Sequence, residues 1–257
     1  MTVFDNRLFV IDNFGNRKMI DLRFKTGAIT DLRIPFEKNV FKIMIPLNNN
    51  IFACDFYKNL YCLDATNLVE KIQFQNFMEH EITDMIKYKD ILLIADRSGN
   101  IRTLDTISCK PVHMNYSVMD RKITKMCLKL STSIIYITDN MGYLKSMNVE
   151  TNDIVFDYGK VLSNKIKQLV LYKDSLFVGA KSGYVKCIST QSNDTLHNFG
   201  EILTKITQII VCEDKLFIGN SYGKIKILML DNFCSGGEKP FMLENIIPEV
   251  SSINSIN

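Results

Sequence analysis

Apolar residues in this chain come in short runs separated by polar breaks, and the runs are too short and too closely spaced for helices. Ile166-Lys167-Gln168-Leu169-Val170-Leu171 is followed by the break Lys173-Asp174-Ser175 and a second run, Leu176 to Ala180. Lys181-Ser182-Gly183 forms a tight turn, with glycine where a positive φ is required. Tyr184 to Ile188 and Thr195 to Phe199 follow as third and fourth runs, parted by Gln191-Ser192-Asn193. Four strands joined by short polar turns predict one antiparallel sheet. The next segment repeats the scheme with Ile206 to Val211, Leu216 to Gly219, the turn Asn220 to Gly223 and Ile225 to Leu228. An earlier one runs Ile82 to Tyr88, Ile91 to Ala95, the turn Asp96 to Gly99 and Ile101 to Leu104. No stretch keeps a 3.6-residue period, so helix content is expected to be close to nil.

The second-strand and turn fragment occurs six times, as Leu8 to Gly15, Ile51 to Lys58, Leu92 to Gly99, Ile135 to Gly142, Leu176 to Gly183 and Leu216 to Gly223. Its last positions, 15, 58, 99, 142, 183 and 223, are 43, 41, 43, 41 and 40 residues apart. A strand-rich period near 40 residues is the mark of a β-propeller. The expected fold is all-β, a six-bladed β-propeller of four-stranded antiparallel blades. It is a single domain over 1–257, with repeats at about 1–36, 37–78, 79–119, 120–161, 162–202 and 203–248. The first repeat opens at what the pattern marks as a second strand, Leu8 to Ile11. The tail Glu249 to Ile256 aligns with Lys205 to Cys212, a first-strand segment. An open sheet edge exposes unpaired backbone groups. Residues 249–257 are therefore expected to close the first blade; a ring completed by a partner's strand is the alternative.

At the turn and third strand the chain resembles the WD-repeat propeller family. Asp96-Arg97-Ser98-Gly99-Asn100-Ile101-Arg102-Thr103-Leu104-Asp105 is similar to the end of that repeat, and Ser182 to Ser189 and Tyr222 to Leu228 are so more faintly. The likeness covers nearly the whole chain by period but few positions by identity. Ile20, Leu63, Leu104, Met147, Ile188 and Leu228 occupy the family's tryptophan position, and the chain has no tryptophan. The Gly-His dipeptide is missing, with His80 at the wrong offset. The family's turn aspartate is replaced by Phe14, Tyr57, Ser98, Met141, Ser182 and Tyr222. The family's Asp-His-Ser/Thr-Trp network therefore cannot form, at a cost of about 1 kcal/mol per lost bond. Packing has to supply the difference. The resemblance implies a non-catalytic scaffold that holds proteins together within a multi-subunit assembly.

Composition narrows the function classes. A hydrophobic content of 46% with 23% charged residues is that of an ordinary globular chain, and a net charge of +3 is too mild to announce a nucleic-acid protein. Asp5, Asn6 and Arg7 interrupt the segment where a secretory signal needs unbroken apolar residues, and no run approaches a bilayer's thickness. The seven cysteines, 54, 62, 109, 127, 187, 212 and 234, form no CxxC pair and read as reduced thiols of a cytoplasmic or nuclear protein. The glycosylation sequons at Asn115 and Asn193 then carry no meaning.

Candidate chemistry is sparse. His80, His113 and His197 fall in separate repeats, and no Cys/His cluster, HExxH or GxSxG is present. Ser235-Gly236-Gly237-Glu238-Lys239 lacks phosphate-loop spacing. No cofactor, metal or small-molecule substrate is expected, and no enzyme activity. Asp12, Asp55, Asp96 and Asp139 share one repeat position. Their two readings are turn caps that accept backbone amides, or the acids of a metal-dependent hydrolase lining a central channel. The more telling pattern is basic. Lys122, Lys165 and Lys205 each precede a first strand, Lys38 lies near the corresponding place, and Arg121 adjoins Lys122. In a propeller those loops share a face with the second-to-third-strand turns. The turns bring Arg97 and Lys181 together with Phe14, Phe56, Tyr57, Met141 and Tyr222. A face combining cations with exposed rings fits a protein partner. It fits RNA as well, for example in ribosome assembly, where WD-like propellers are frequent. No membrane partner is expected.

Overall fold

The computed structural model describes residues 2–11, 17–23, 28–31, 41–230 and 242–243. It divides into two compact units, Met1–Lys122 and Ile123–Asn257. Each holds three four-stranded antiparallel sheets, whose strands pair in chain order. In the first unit the sheets are β1 Thr2–Phe4, β2 Arg7–Ile11, β3 Arg17–Asp21 and β4 Ala28–Asp31; then β5 Ile43–Leu47, β6 Asn50–Cys54, β7 Leu60–Asp64 and β8 Glu70–Phe74; then β9 Ile82–Tyr88, β10 Ile91–Asp96, β11 Asn100–Asp105 and β12 Lys110–Ser117. In the second unit they are β13 Ile123–Lys129, β14 Ile134–Asp139, β15 Tyr143–Asn148 and β16 Ile154–Lys160; then β17 Ile166–Tyr172, β18 Ser175–Ala180, β19 Tyr184–Ser189 and β20 Thr195–Glu201; then β21 Ile206–Cys212, β22 Lys215–Asn220, β23 Ile225–Met229 and β24 Met242–Leu243. The sheets are uneven, β1 having three residues and β24 two. The only helical turn among the described residues is the short 3-10 segment Leu130–Thr132.

One expectation is corrected at the start of the chain. The first sheet takes its first strand from the N-terminus itself. β1 pairs with β2 through Thr2↔Phe9, Val3↔Leu8 and Phe4↔Arg7. The cause is local: Asp5 and Asn6 both adopt positive φ, 47° and 54°, in the two-residue turn that asparagine and aspartate tolerate. β1 therefore fills the place beside β2 that was assigned to 249–257. Those residues lie outside the described part, as do Gly15 and the glycine-rich stretch 235–239.

The first strands pack on one another in series, β1 against β5 and β5 against β9 in one unit, β13 against β17 and β17 against β21 in the other. A middle strand is thus buried on both faces, and its period of two sorts side chains between neighbouring sheets. On β6, Ile51 and Ala53 join Phe9, Tyr61 and Leu63, whereas Phe52 and Cys54 join Leu60, Ile82 and Leu92. On β18, Leu176, Val178 and Ala180 pack with Tyr136, Leu144 and Ile166, while Phe177 packs with Ile206, Ile209 and Leu216. This explains why second strands read as unbroken apolar runs rather than alternations. At the penultimate position of the third strands, Leu63, Leu104, Met147, Ile188 and Leu228 are all buried, so aliphatic packing fills that place.

In three of the sheets a backbone contact ties the marker turn to the segment that follows the fourth strand. The repeat-marker residue has positive φ at Lys58 (75°), Gly99 (92°), Gly142 (97°), Gly183 (110°) and Gly223 (77°). The carbonyl of Gly99 accepts the amide of Val118 at 3.0 Å, that of Gly142 accepts Val161 at 2.9 Å, and that of Gly183 accepts Ile202 at 2.9 Å. The approach is so close that a Cβ on Gly99, Gly142 or Gly183 would stand 1.8, 1.9 or 2.3 Å from the carbonyl oxygen of Met119, Leu162 or Leu203. At the other end of the sheets, side chains reach across one repeat. Asn48 donates to Asp90, Lys129 to Asp174 at 2.6 Å and to Thr190 at 2.8 Å, and the Tyr172 hydroxyl to Asp214. Lys129 holds the Asp174 carboxyl below its usual range through that hydrogen bond, despite the opposing effect of desolvation.

Three glycine substitutions separate conformation from clash. Gly142→Ala combines a left-handed φ with a backbone collision and is expected to cost about 3 kcal/mol or more. Gly200→Ala has the left-handed φ (69°) in open space and is expected to cost about 1–2 kcal/mol. Gly219→Ala has neither and is expected to stay within about 1 kcal/mol. Equilibrium urea unfolding of the three variants checks the order.

Candidate functional site

The turn between second and third strands carries both the repeated acid and the exposed rings. Asp55, Asp96 and Asp139 are buried, and each uses Oδ1 to accept two backbone amides of its own turn. Asp55 takes Tyr57 at 2.7 Å and Asn59 at 3.1 Å; Asp96 takes Ser98 at 2.8 Å and Asn100 at 2.9 Å; Asp139 takes Met141 and Tyr143, both at 2.8 Å. Asn220 does the same for Tyr222 and Lys224 at 3.0 and 2.9 Å, with a neutral amide oxygen. Asp55 Oδ2 is also engaged, by Asn59 and the Tyr61 hydroxyl. These are turn caps: the geometry needs an acceptor at this position, not a charge. Asp12 lies outside the described residues. Among the described residues no cluster of His, Cys, Asp or Glu is placed to hold a metal ion.

Because the cap turns the chain sharply, the residues that follow it project outward. Phe56 and Tyr57 are 53% and 73% exposed, Met141 is 44% and Tyr222 is 60% exposed. Phe14 lies outside the described residues.

The cations around these turns differ between the units. In the first unit they converge on Glu81, the residue before β9. Lys42 lies 2.6 Å from its carboxylate, Lys122 at 3.5 Å and Arg97 at 3.9 Å. Burial alone would raise the Glu81 pKa, but the hydrogen bond and charge of Lys42, with Lys122 behind it, outweigh that and lower it. The Lys42 ammonium also sits 5.8 Å from the Phe56 ring centre. Arg121 is exposed beside Lys122. The role assigned to Lys38, which lies outside the described residues, belongs to Lys42. β5 starts at Ile43, because the two-residue turn Asn48–Asn49, with φ of 47° and 59°, sets Leu47 opposite Asn50. In the second unit, Lys165 is half-buried and its carbonyl accepts the Lys181 amide at 2.8 Å, while the Lys181 side chain is exposed. Lys205, also exposed, holds its ammonium 4.8 Å from the centre of the Tyr222 ring. Beside that pair a cavity of about 670 Å³ is lined by Glu201 to Thr204, Asn220, Tyr222, Lys224 and Lys226. The sequence reading missed Lys224 and Lys226. Their signal was available, as two lysines one strand period apart next to a marker glycine.

Of the histidine side chains described, His80 is exposed and His197 packs edge-on to Phe199. The six described cysteines are free thiols, and burial pushes Cys54 up to about 12. No helix among the described residues is long and apolar enough to cross a membrane.

No family model matches the chain, and no curated protein matches it by sequence. Solved structures match by fold. The computationally designed Ika8 protein superposes with a TM-score of 0.73 at 16% identity, over 89% of this chain and 70% of its own. A chain from the crystal structure of the mitotic checkpoint complex does so with a TM-score of 0.73 at 9% identity, over 88% and 77%. The designed Ika4 protein reaches 0.54 at 17% identity, over 60% of this chain and 93% of its own. At these identities the likeness establishes a propeller-like repeat fold and nothing further.

Two results are expected from these turns. Asp96→Ala leaves two part-buried amides without their acceptor and should cost about 1–3 kcal/mol, while Asp96→Asn should keep most of the stability, as Asn220 caps its turn with an amide oxygen. Chemical denaturation of both variants measures this. A depressed folded-state pKa at Glu81 means that its stabilisation is full above its ordinary value near 4.5 and fades as pH falls through the lower folded value. The stability gap between the wild type and Glu81→Gln should therefore close on acidification, as read from denaturation midpoints across pH.

Proposed function

We propose that the protein is a non-catalytic interaction scaffold, a WD-repeat-like propeller subunit of a multi-subunit assembly in the cytoplasm or nucleus. The observation that carries this reading is the exposure of Phe56, Tyr57, Met141 and Tyr222 on turns held rigid by buried caps. Large side chains that are presented on a stiff frame at no folding benefit are the usual anchors of protein interfaces, since they lose little freedom on binding. The fold likeness to a chain of the mitotic checkpoint complex agrees with a place in an assembly. For the RNA reading, the first unit offers little: Lys42, Arg97 and Lys122 share the Glu81 carboxylate, which offsets their charge.

Purification of the tagged protein from its native cells, followed by identification of what remains bound after a salt wash, tests the proposal. Stable protein partners are expected with the wild type. They should be lost from Phe56→Ala/Tyr57→Ala or from Tyr222→Ala, with the thermal midpoint unchanged. A protein recovered alone, or a partner set indifferent to all three rings, contradicts it.

A further inference from the structure

We infer that the cavity beside Tyr222 is a docking site for an extended acidic segment of a protein partner. The inference deepens the scaffold reading and rests on it. Three cations border the cavity or its rim: Lys224 and Lys226 line it, and Lys205 stands over the Tyr222 ring. Among the described residues none of the three has a carboxylate partner. In the first unit, by contrast, Glu81 already answers its cations. Glu201 is the one acid in the lining, so the local balance is positive.

The geometry selects an extended ligand. Lys224 is set by the Asn220 cap at the end of the turn, and Lys226 follows two residues later on β23. Strand periodicity puts both on one side, about 6.8 Å apart along the chain, with Ile225 facing the other way. Carboxylates at alternate positions of an extended peptide have the same spacing. The volume of about 670 Å³ accommodates a few side chains. RNA fits less well. The Tyr222 ring face that would stack a base already holds the Lys205 ammonium, and Glu201 repels phosphate.

The test uses the full chain and a fluorescent peptide in which glutamate alternates with leucine, followed by polarisation. Binding is expected to weaken with salt. Lys224→Glu/Lys226→Glu should weaken it by about tenfold or more, whereas Lys110→Glu on β12 in the other unit should not. A single-stranded RNA probe is run in parallel. No peptide binding by the wild type, or binding untouched by the double reversal, overturns the site. So does RNA binding that is tighter than peptide binding and lost on the same reversal. The scaffold reading is scored separately: if native partners still depend on Phe56, Tyr57 or Tyr222, it stands while the acidic-segment site falls.

Discussion

The contact on which the rest depends is backbone against backbone. At the marker turn the chain reverses with a left-handed residue and receives the amide of the segment that leads to the next sheet. The glycine hydrogen leaves room for that segment's carbonyl, and no side chain can share the space. In the second unit the contacts at Gly142 and Gly183 fix where the following first strand starts, and so how one sheet stacks on the next. Apolar packing then follows, because stacked middle strands are buried on both faces and can be apolar at every position.

This arrangement compensates for what the chain lacks. In a chain without tryptophan, hydrogen bonding falls to short-range devices. Buried Asp or Asn caps hold the turns, and threonines at the bulges of first strands bond nearby carbonyls, as Thr124 does to Thr138 and Asp139. Acids in the hairpins at the other end receive a donor one repeat away. Each device is local or one period long, so repeats can diverge in sequence while keeping the same frame. The caps have a second effect: they turn one or both of the two residues that follow outward, and Phe56, Tyr57 and Tyr222 among these are aromatic. Stability and recognition thus share the same turns.

Much of this was legible in the residues. The spacing of the markers located the five described turns between second and third strands, the apolar runs located most strands, and the expected positive φ is present at Gly99, Gly142, Gly183 and Gly223 and even at Lys58, which replaces a glycine. The shared aspartate position was legible as a choice between cap and catalyst, and only the distances decided for the cap. Two features were not legible. β1 is three residues long and looks polar, so the Asp5–Asn6 turn that creates it was hidden by its shortness. Pairing among charges was also hidden: that Lys42, Arg97 and Lys122 share Glu81 is a fact of three dimensions, whereas the chain presents only four charged residues far apart. The cations therefore separate into a group that shares one carboxylate and, among the described residues, Lys205, Lys224 and Lys226 without one, a division that no sequence period contains.

Amide hydrogen exchange of Val161 and Ile202 tests the central claim most directly. These are the amides that the marker carbonyls of Gly142 and Gly183 receive. If that contact positions the sheets of the second unit, both should exchange as slowly as first-strand amides such as those of Met126 and Leu169, through the same large-scale opening. Exchange at the rate of exposed loops, with the strands still protected, would mean that the sheets hold their places without it.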